Sequence, residues 1–448
     1  MGYVSRRRVV LRMKQWRNWA GNVRCEPERW WEPEGEADVA ELLREAQRQG
    51  RKVRIVGSGH SFTPLGEAEE WLVRLPRMTG LVQLDESART VTVRAGTTLR
   101  ELGGRLLERG WAMENLGDID RQTIGGAVGT GTHGTGSGFG SLSTQVTAIR
   151  AVLGNGRIAE VSEGDTGEKQ ELFKALQVSF GTIGIMTELT LRIVPAERMR
   201  LASFRSTLVE TLERLEEYRS GNRHFEFFWF PYSGGTQVKT INPTDAPASK
   251  RGTWKEWSAY AVENGLFWGM SEACRIAPRL SAGISRLSAR FVPVSDEVGR
   301  GPRLFVTPRH VKFMEMEYSV PASAMRPVLL EMKRLMERRR YFVHFPIECR
   351  YVKGDDMWLS PAYGRDSAYI ALHMYKGMPY EPYFRDMEQI LLAYDGRPHW
   401  GKWHSRTAAQ LAGMYPKWKD AARVREAADP RGVLLNRYVA RLISPTAR

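Results

Sequence analysis

Val56-Gly57-Ser58-Gly59-His60-Ser61-Phe62 follows a short apolar run, and Asn115-Leu116-Gly117-Asp118-Ile119-Asp120 leads on to Gly125-Gly126-Ala127-Val128-Gly129-Thr130-Gly131-Thr132-His133-Gly134-Thr135-Gly136. Each stretch places side-chain-free residues where backbone can press against a ligand and aim its N–H groups at a phosphate, and the first adds a histidine at the tip of the turn. One glycine-rich stretch alone reads equally well as an ordinary turn. Two in one block, each after a predicted strand, argue for a bound dinucleotide. Neither opens a helix as Gly-x-Gly-x-x-Gly with an acidic residue about 20 positions on, and no Gly-Lys-Ser/Thr follows, so the Rossmann and Walker readings are excluded.

Working outward, Val39, Leu42, Leu43 and Ala46 recur at helical spacing before a strand over Lys52 to Val56. Strands follow at 81–84 and 90–95, a helix over Leu99 to Leu107, then strands at 147–153, 158–161 and 185–194 around a helix near 169–176. Strand and helix alternate without strict βαβ repetition, which is an α+β pattern. Pro195 closes this block. Beyond it lie an aromatic strand over 225–230, a Trp-rich region over 254–290, strands near 313–320, 348–352 and 368–375, and helices near 322–338 and 382–393.

The length of 448 residues calls for two domains, and 42% hydrophobic with 26% charged residues is globular. Cys25, Cys274 and Cys349 are far apart, which fits a reducing compartment and excludes a Cys-x-x-Cys metal site, so no metal is expected. The net charge of +15 would attract anions, but basic residues alternate with acids along stretches such as Asp38 to Arg51, as on a solvated face, so no nucleic-acid partner is expected. Arg6-Arg7-Arg8 precedes an apolar run of only three residues, too short for an export signal, and no 18-residue apolar stretch occurs. A cytoplasmic protein without an integral membrane segment is expected; its oligomeric state is left open.

Taken in order, Asn18-Trp19-Ala20, the two glycine stretches, Phe180-Gly181-Thr182-Ile183-Gly184-Ile185, Pro346-Ile347-Glu348-Cys349-Arg350, Arg397-Pro398-His399-Trp400-Gly401-Lys402-Trp403-His404 and Asp429-Pro430-Arg431-Gly432 before Leu435-Asn436 resemble the sugar-1,4-lactone oxidase and alditol oxidase branch of the vanillyl-alcohol-oxidase-type flavoproteins over nearly the whole chain. The resemblance implies a two-domain FAD-binding fold of the PCMH type with a mixed-sheet substrate cap. It implies an FAD domain over 1–195, a cap over 196–404 and a segment over 405–448 that returns to the FAD domain. It assigns to the cofactor Val56, Gly57, Ser58, Gly59, His60, Ser61, Gly117, Asp118, Gly125, Gly126, Ala127, Gly131, Thr132, Gly134, Thr135, Gly140, Ser141, Ile183, Ile185 and His399.

By residue type His60 also suits a structural or exposed position. The matching histidine in the family carries the flavin through its 8α-methyl carbon, and no cysteine near the second glycine stretch offers a second bond, so FAD is expected to be attached through His60 alone. His133 is expected to orient its own turn. Glu348 and Arg350 alternate on a strand and so share a face, with Cys349 turned away. As a pair they read as an ion pair; the resemblance implies that Glu348 grips substrate hydroxyls and Arg350 faces flavin and substrate. Lys402, by type a surface lysine, matches a lysine at the reaction centre, where burial and a nearby arginine would suit it to general-base use. His373 is a further candidate to face the substrate. The expected reaction is oxidation of an aldono-1,4-lactone with oxygen as acceptor, favoured by His404 and the tail Met414-Tyr415-Pro416. The alternatives are an open-chain alditol such as xylitol, a dehydrogenase with another acceptor, and a noncatalytic flavin-binding module.

Overall fold

The computed structural model describes residues 15–249, 253–306 and 311–443, with side chains left out over 253–264. Arg6-Arg7-Arg8 lies outside the described residues.

Two apolar cores organise the chain. The first is built around an antiparallel sheet of Ile158–Ser162, Val146–Leu153, Gly184–Pro195, Thr90–Arg94 and Leu81–Asp85, with Trp111–Met113 on the end of the third strand. A small parallel sheet of Arg29–Trp31, Trp71–Val73 and Val53–Ile55 lies beside it. Helix Glu36–Gln49 buries Val39, Leu42, Leu43 and Ala46, the stripe its spacing predicts, and stops at Gly50, whose φ of 64° provides the left-handed turn. Leu411, Tyr415, Trp418, Val424, Leu434 and Val439 from the C-terminal end join this same core. Arg54 fixes that return: its buried guanidinium donates to the carbonyls of Leu65, Phe180, Gly181 and Leu434.

The second core lies under an eight-stranded sheet in the order Asp296–Arg300, Arg198–Thr207, Gly235–Pro243, His224–Trp229, Ile347–Val352, Ser367–Tyr375, Phe313–Pro321, Arg397–Pro398. Every pairing in it is antiparallel, which corrects the mixed sheet expected for the cap. The helices of this half lie against the sheet and do not cross over between neighbouring strands as parallel pairing would require. The Trp-rich region is helical, over Thr253–Ile276 and Ser281–Phe291. None of the described helices is long and apolar enough to cross a membrane.

Period-two alternation sorts the middle of this sheet into two unlike faces. Met314, Met316, Cys349, Tyr351, Ile370, Leu372 and Met374 enter the second core with Val328, Leu329 and Met332 of helix Met325–Arg339 and Phe384, Met387 and Leu391 of helix Glu381–Ala393. The residues between them, Glu315, Glu317, Glu348, Arg350 and His373, are also buried, and on the opposite face. All six residues of Ile347–Val352 are buried, and Gly136 of the second glycine stretch bridges directly to Val352.

Candidate active site

The His60 turn is fixed from three directions. Asn18 donates through its side-chain amide to the Ser61 carbonyl at 2.9 Å and Trp19 donates its N–H to Gly59 at 2.8 Å. Phe62 donates its N–H to Gly401 at 2.7 Å, and the Thr63 hydroxyl donates to Trp400 at 3.1 Å, so the turn is tied to a segment about 340 residues on. The Trp19 and His60 rings stack at 6.0 Å. Gly59 has φ of 71°, a conformation that suits glycine. Gly57 is required by contact: a Cβ there would stand 2.2 Å from the Thr123 Oγ1, so the two glycine-rich stretches are pressed together.

Two cavities meet at this turn. The first, about 430 Å³, is lined by Val56 to Ser61, Gly125, Gly126, Gly129, Thr130, Gly181 and Gly184 among others. The titratable residues lining it are Arg54, Arg74 and His60, and no carboxylate is among the described residues that do so. A glycine-walled, basic and acid-free cavity suits an anionic diphosphate. The second, about 60 Å³, is lined by Gly117, Asp118, Thr132, His133, Glu315, Glu317, Glu348, Arg350, His399 and Lys402. His60, Ser61, Gln122 and Thr130 line both.

The walls of the second cavity form one charged network. Lys402 Nζ lies 2.5 Å from Glu315 Oε2, and Arg350 donates to Glu317 Oε1 at 2.6 Å, with Glu348 at 3.5 Å. The partner touching Lys402 is thus a carboxylate, where an arginine neighbour was expected, and the closest partner of Arg350 is Glu317, not Glu348. Burial pushes the Glu315 carboxyl up, but Lys402 and then His373 outweigh it and hold the group below the usual carboxylate range. Glu317 is held low in the same way, against burial, by Arg350 and His133. The Arg350 guanidinium is buried, yet Glu348, Glu317 and Asp118 keep it firmly charged.

His133 does contact its own turn, with Nδ1 3.0 Å from the Gly134 carbonyl, and it also reaches across to Glu317 at 3.3 Å and packs on Tyr369 at 3.9 Å. His399 accepts from the Gly401 N–H at 3.1 Å, and burial pulls its imidazole down to about 3. His133, Glu317 and His399 have a spacing that a metal ion would accept, but Glu317 is already engaged by Arg350. At His60 burial, then the charges of Lys402 and Arg121, pull the imidazole down to about 4, leaving it neutral with a free ring nitrogen at neutral pH.

Several residues expected at the cofactor are not among the described residues lining either cavity. Ala127, Ile183 and Ile185 are buried in the first core. Gly134 packs on the Leu116 carbonyl, and the Thr135 hydroxyl donates to the Phe225 carbonyl. Ser141 pairs with His133 in a bridge, Gly140 packs on Thr144, and Gly131, at φ of 69°, supplies a turn. His373 lies behind Glu315 and Glu348 and does not line the cavity. His404 binds the Arg406 N–H at 3.2 Å and Tyr438 at 3.5 Å, away from both cavities. The sequence reading missed Glu315 and Glu317. Their signal is in Phe313-Met314-Glu315-Met316-Glu317-Tyr318, where two acids fall on one face of an otherwise apolar strand.

This fold and this pair of cavities define an FAD-linked oxidoreductase: residues 27–162 match the family described as FAD binding domain. Cholesterol oxidase from B. sterolicum superposes with a TM-score of 0.81 over 96% of both chains at 18% identity, which shows the shared fold. Residues 189–442 match the family described as D-arabinono-1,4-lactone oxidase. An L-gulono-1,4-lactone dehydrogenase of Mycobacterium tuberculosis is 39% identical over 96% of this chain and 99% of its own, and an L-gulonolactone oxidase of Mus musculus is 32% identical over 95% and 97%. The chain belongs to the family of FAD-dependent sugar-1,4-lactone oxidases and dehydrogenases, enzymes that act on CH–OH groups.

Proposed function

We propose that this enzyme oxidises the hydroxyl-bearing carbon next to the carbonyl of an aldono-1,4-lactone, with FAD attached through His60. The observation that carries the reading is the opening of a face bearing Glu348, Arg350 and Lys402 onto the end of an acid-free cavity at His60. FAD, when bound, supplies the hydride acceptor. The glycine walls of the larger cavity, with Arg74, would hold its diphosphate, and the neutral imidazole of His60 would hold its ring system. Lys402 takes the proton of the reacting hydroxyl as it passes one of its own to Glu315, 2.5 Å away. Glu348 accepts hydrogen bonds from neighbouring sugar hydroxyls. Arg350, fixed by Glu317, faces the negative charge that develops as hydride leaves the substrate.

The lactone, in preference to an alditol, is supported by the names of relatives that cover nearly the whole chain; His404 adds nothing, since it lies away from both cavities. Oxygen is the proposed acceptor. A different acceptor is the second reading, favoured by the name of the 39% identical relative, a dehydrogenase. Anaerobic mixing with aldono-1,4-lactones should bleach the flavin faster than xylitol does, and readmitted oxygen should restore the colour and give peroxide. Faster bleaching by xylitol would overturn the substrate, and a flavin that stays bleached in oxygen would overturn the acceptor.

A further inference from the structure

Helices Thr253–Ile276 and Ser281–Phe291 make up the Trp-rich region, for which the reaction proposed above has no use, and they are amphipathic the wrong way round. Of the twelve large apolar side chains that stand exposed among the described residues, seven lie between Leu266 and Val294. Leu266, Trp268, Ile276, Phe291 and Val294 are each more than half exposed. What the two helices turn inward is small: Ser271, Cys274, Ser281 and Ser285 are buried. Ser285 donates to the Pro231 carbonyl at 2.6 Å, Ser271 Oγ and His344 Nε2 share a hydrogen bond of 2.9 Å, and Phe267 packs on Phe345 at 5.0 Å. The pair is thus fastened to the cap by its inner side, and its outer side is a contiguous apolar surface that the chain itself leaves uncovered.

That surface is also basic. Leu280, Leu287 and Phe291 recur at helical spacing, and Arg279, Arg286 and Arg290 recur at the same spacing one position earlier, so exposed arginines run beside exposed apolar side chains. Residues 265–294 contain four arginines and a single carboxylate, Glu272, which is engaged by Arg275 at 2.6 Å and by the Tyr375 hydroxyl. A second copy of the chain fits poorly, because a two-fold pairing would set arginines against arginines. A bilayer surface carrying anionic headgroups fits both rows at once: guanidinium groups meet phosphates while aliphatic and aromatic side chains enter the acyl boundary.

We propose that the helix pair Thr253–Ile276 and Ser281–Phe291 seats the protein on the surface of an anionic phospholipid bilayer, with Leu266, Trp268, Leu287 and Phe291 inserted and Arg279 and Arg290 among the headgroups. The contact lies in the plane of the interface, since none of the described helices is long and apolar enough to span.

The inference is independent of the reaction, so its test needs no substrate. The holoenzyme is centrifuged with sucrose-loaded vesicles of phosphatidylcholine alone, or of phosphatidylcholine with about one third phosphatidylglycerol. At low salt most of the protein should pellet with the anionic vesicles and little with the neutral ones, and added salt should release it only in part, because the apolar share of the binding is not screened. The double variant Leu287→Ser/Phe291→Ser should weaken the partition about tenfold or more. It should keep its flavin and melting temperature, since neither side chain belongs to either apolar core. Ile158→Ser, which removes an exposed isoleucine of the first half, should bind as the native protein does. No binding to anionic vesicles, or equal binding by the native protein and the double variant, would overturn the proposal. So would self-association of the native protein, seen by sedimentation velocity, that the double variant abolishes, because the surface would then be a contact between copies. Should the double variant misfold, vesicles with brominated acyl chains decide: they should quench tryptophan emission in the native protein more than in Trp268→Phe, and equal quenching would overturn the insertion.

Discussion

The two cavities that meet at His60 are built in opposite ways. The larger is walled by contiguous loops, rich in glycine and free of carboxylates among its described lining residues, and holds its shape by backbone contact such as Gly57 against Thr123. The smaller is walled by side chains from strands far apart in the chain, Phe313–Pro321, Ile347–Val352 and the segment around Lys402, and holds its shape by ion pairs. A cofactor with a fixed diphosphate can be gripped by local chain geometry. A reaction centre needs opposite charges held close together in low dielectric, and sheet register provides that.

Substitutions should therefore separate by cavity. The largest effect is expected at Lys402: a positioned general base contributes about 10²- to 10⁴-fold, so Lys402→Met should slow flavin reduction on that order while leaving FAD bound. Stopped-flow bleaching reads the rate and the visible spectrum reads the cofactor. A variant that reduces at the native rate would take the lysine out of the mechanism.

Next comes Arg350→Met. Loss of one preorganised donor costs about 3 to 4 kcal/mol, or about 10²- to 10³-fold in reduction rate. The anionic adduct of sulfite with the flavin should also weaken. Because Glu317 would remain as a buried carboxylate without its closest partner, the melting temperature should fall too. Unchanged sulfite affinity would make the arginine a structural ion-pair partner only.

A smaller effect, confined to the other cavity, is expected from Gly57→Ala, whose Cβ would stand 2.2 Å from Thr123 Oγ1. Overpacking of about 1 to 3 kcal/mol should loosen the loop pair and lower FAD occupancy, and adding Thr123→Ala should restore part of it. If the single variant retains native FAD content, the close approach of the two stretches is not what shapes the cofactor cavity.

The smallest separation is in pH. Burial pulls His224, His344 and His404 down to about 4, so between the ordinary histidine value of about 6.5 and that point the unfolded chain binds protons that the folded chain refuses. Folding stability is therefore lost as pH falls through this window. Asp355, pushed up to about 7 by burial, opposes one of the three there, since it holds its proton when folded. The melting temperature should drop progressively below about pH 6.5, and a flat profile down to pH 5 would contradict the three neutral imidazoles.

The contrast also explains what could be read from the sequence. The glycine stretches are local signals, and Val56 to Ser61, Gly125 and Gly126 do line the larger cavity. Local pattern cannot tell a lining residue from the layer behind it: Ala127, Ile183 and Ile185, which the sequence offers as cofactor contacts, belong to the first core and are not among the described residues that line the larger cavity. Glu348 and Arg350 were legible as one face because alternation is local. Their true partners were not: Glu317 faces Arg350 only because Phe313–Pro321 and Ile347–Val352 flank Ser367–Tyr375, where Ala371 lies between Glu317 and Glu348 and leaves room for both. Such pairings are set by long-range register, which one chain read alone does not display. Charged residues at alternate positions of an otherwise apolar strand are the usable trace of it.

The central claim is that the two cavities form one working unit joined at His60. Acid precipitation of the native holoenzyme followed by mass analysis of the peptide bearing His60 tests it most directly. The account predicts a yellow pellet, a His60 peptide heavier by one flavin, and a colourless pellet from His60→Ala; a colourless native pellet with an unmodified peptide would contradict it.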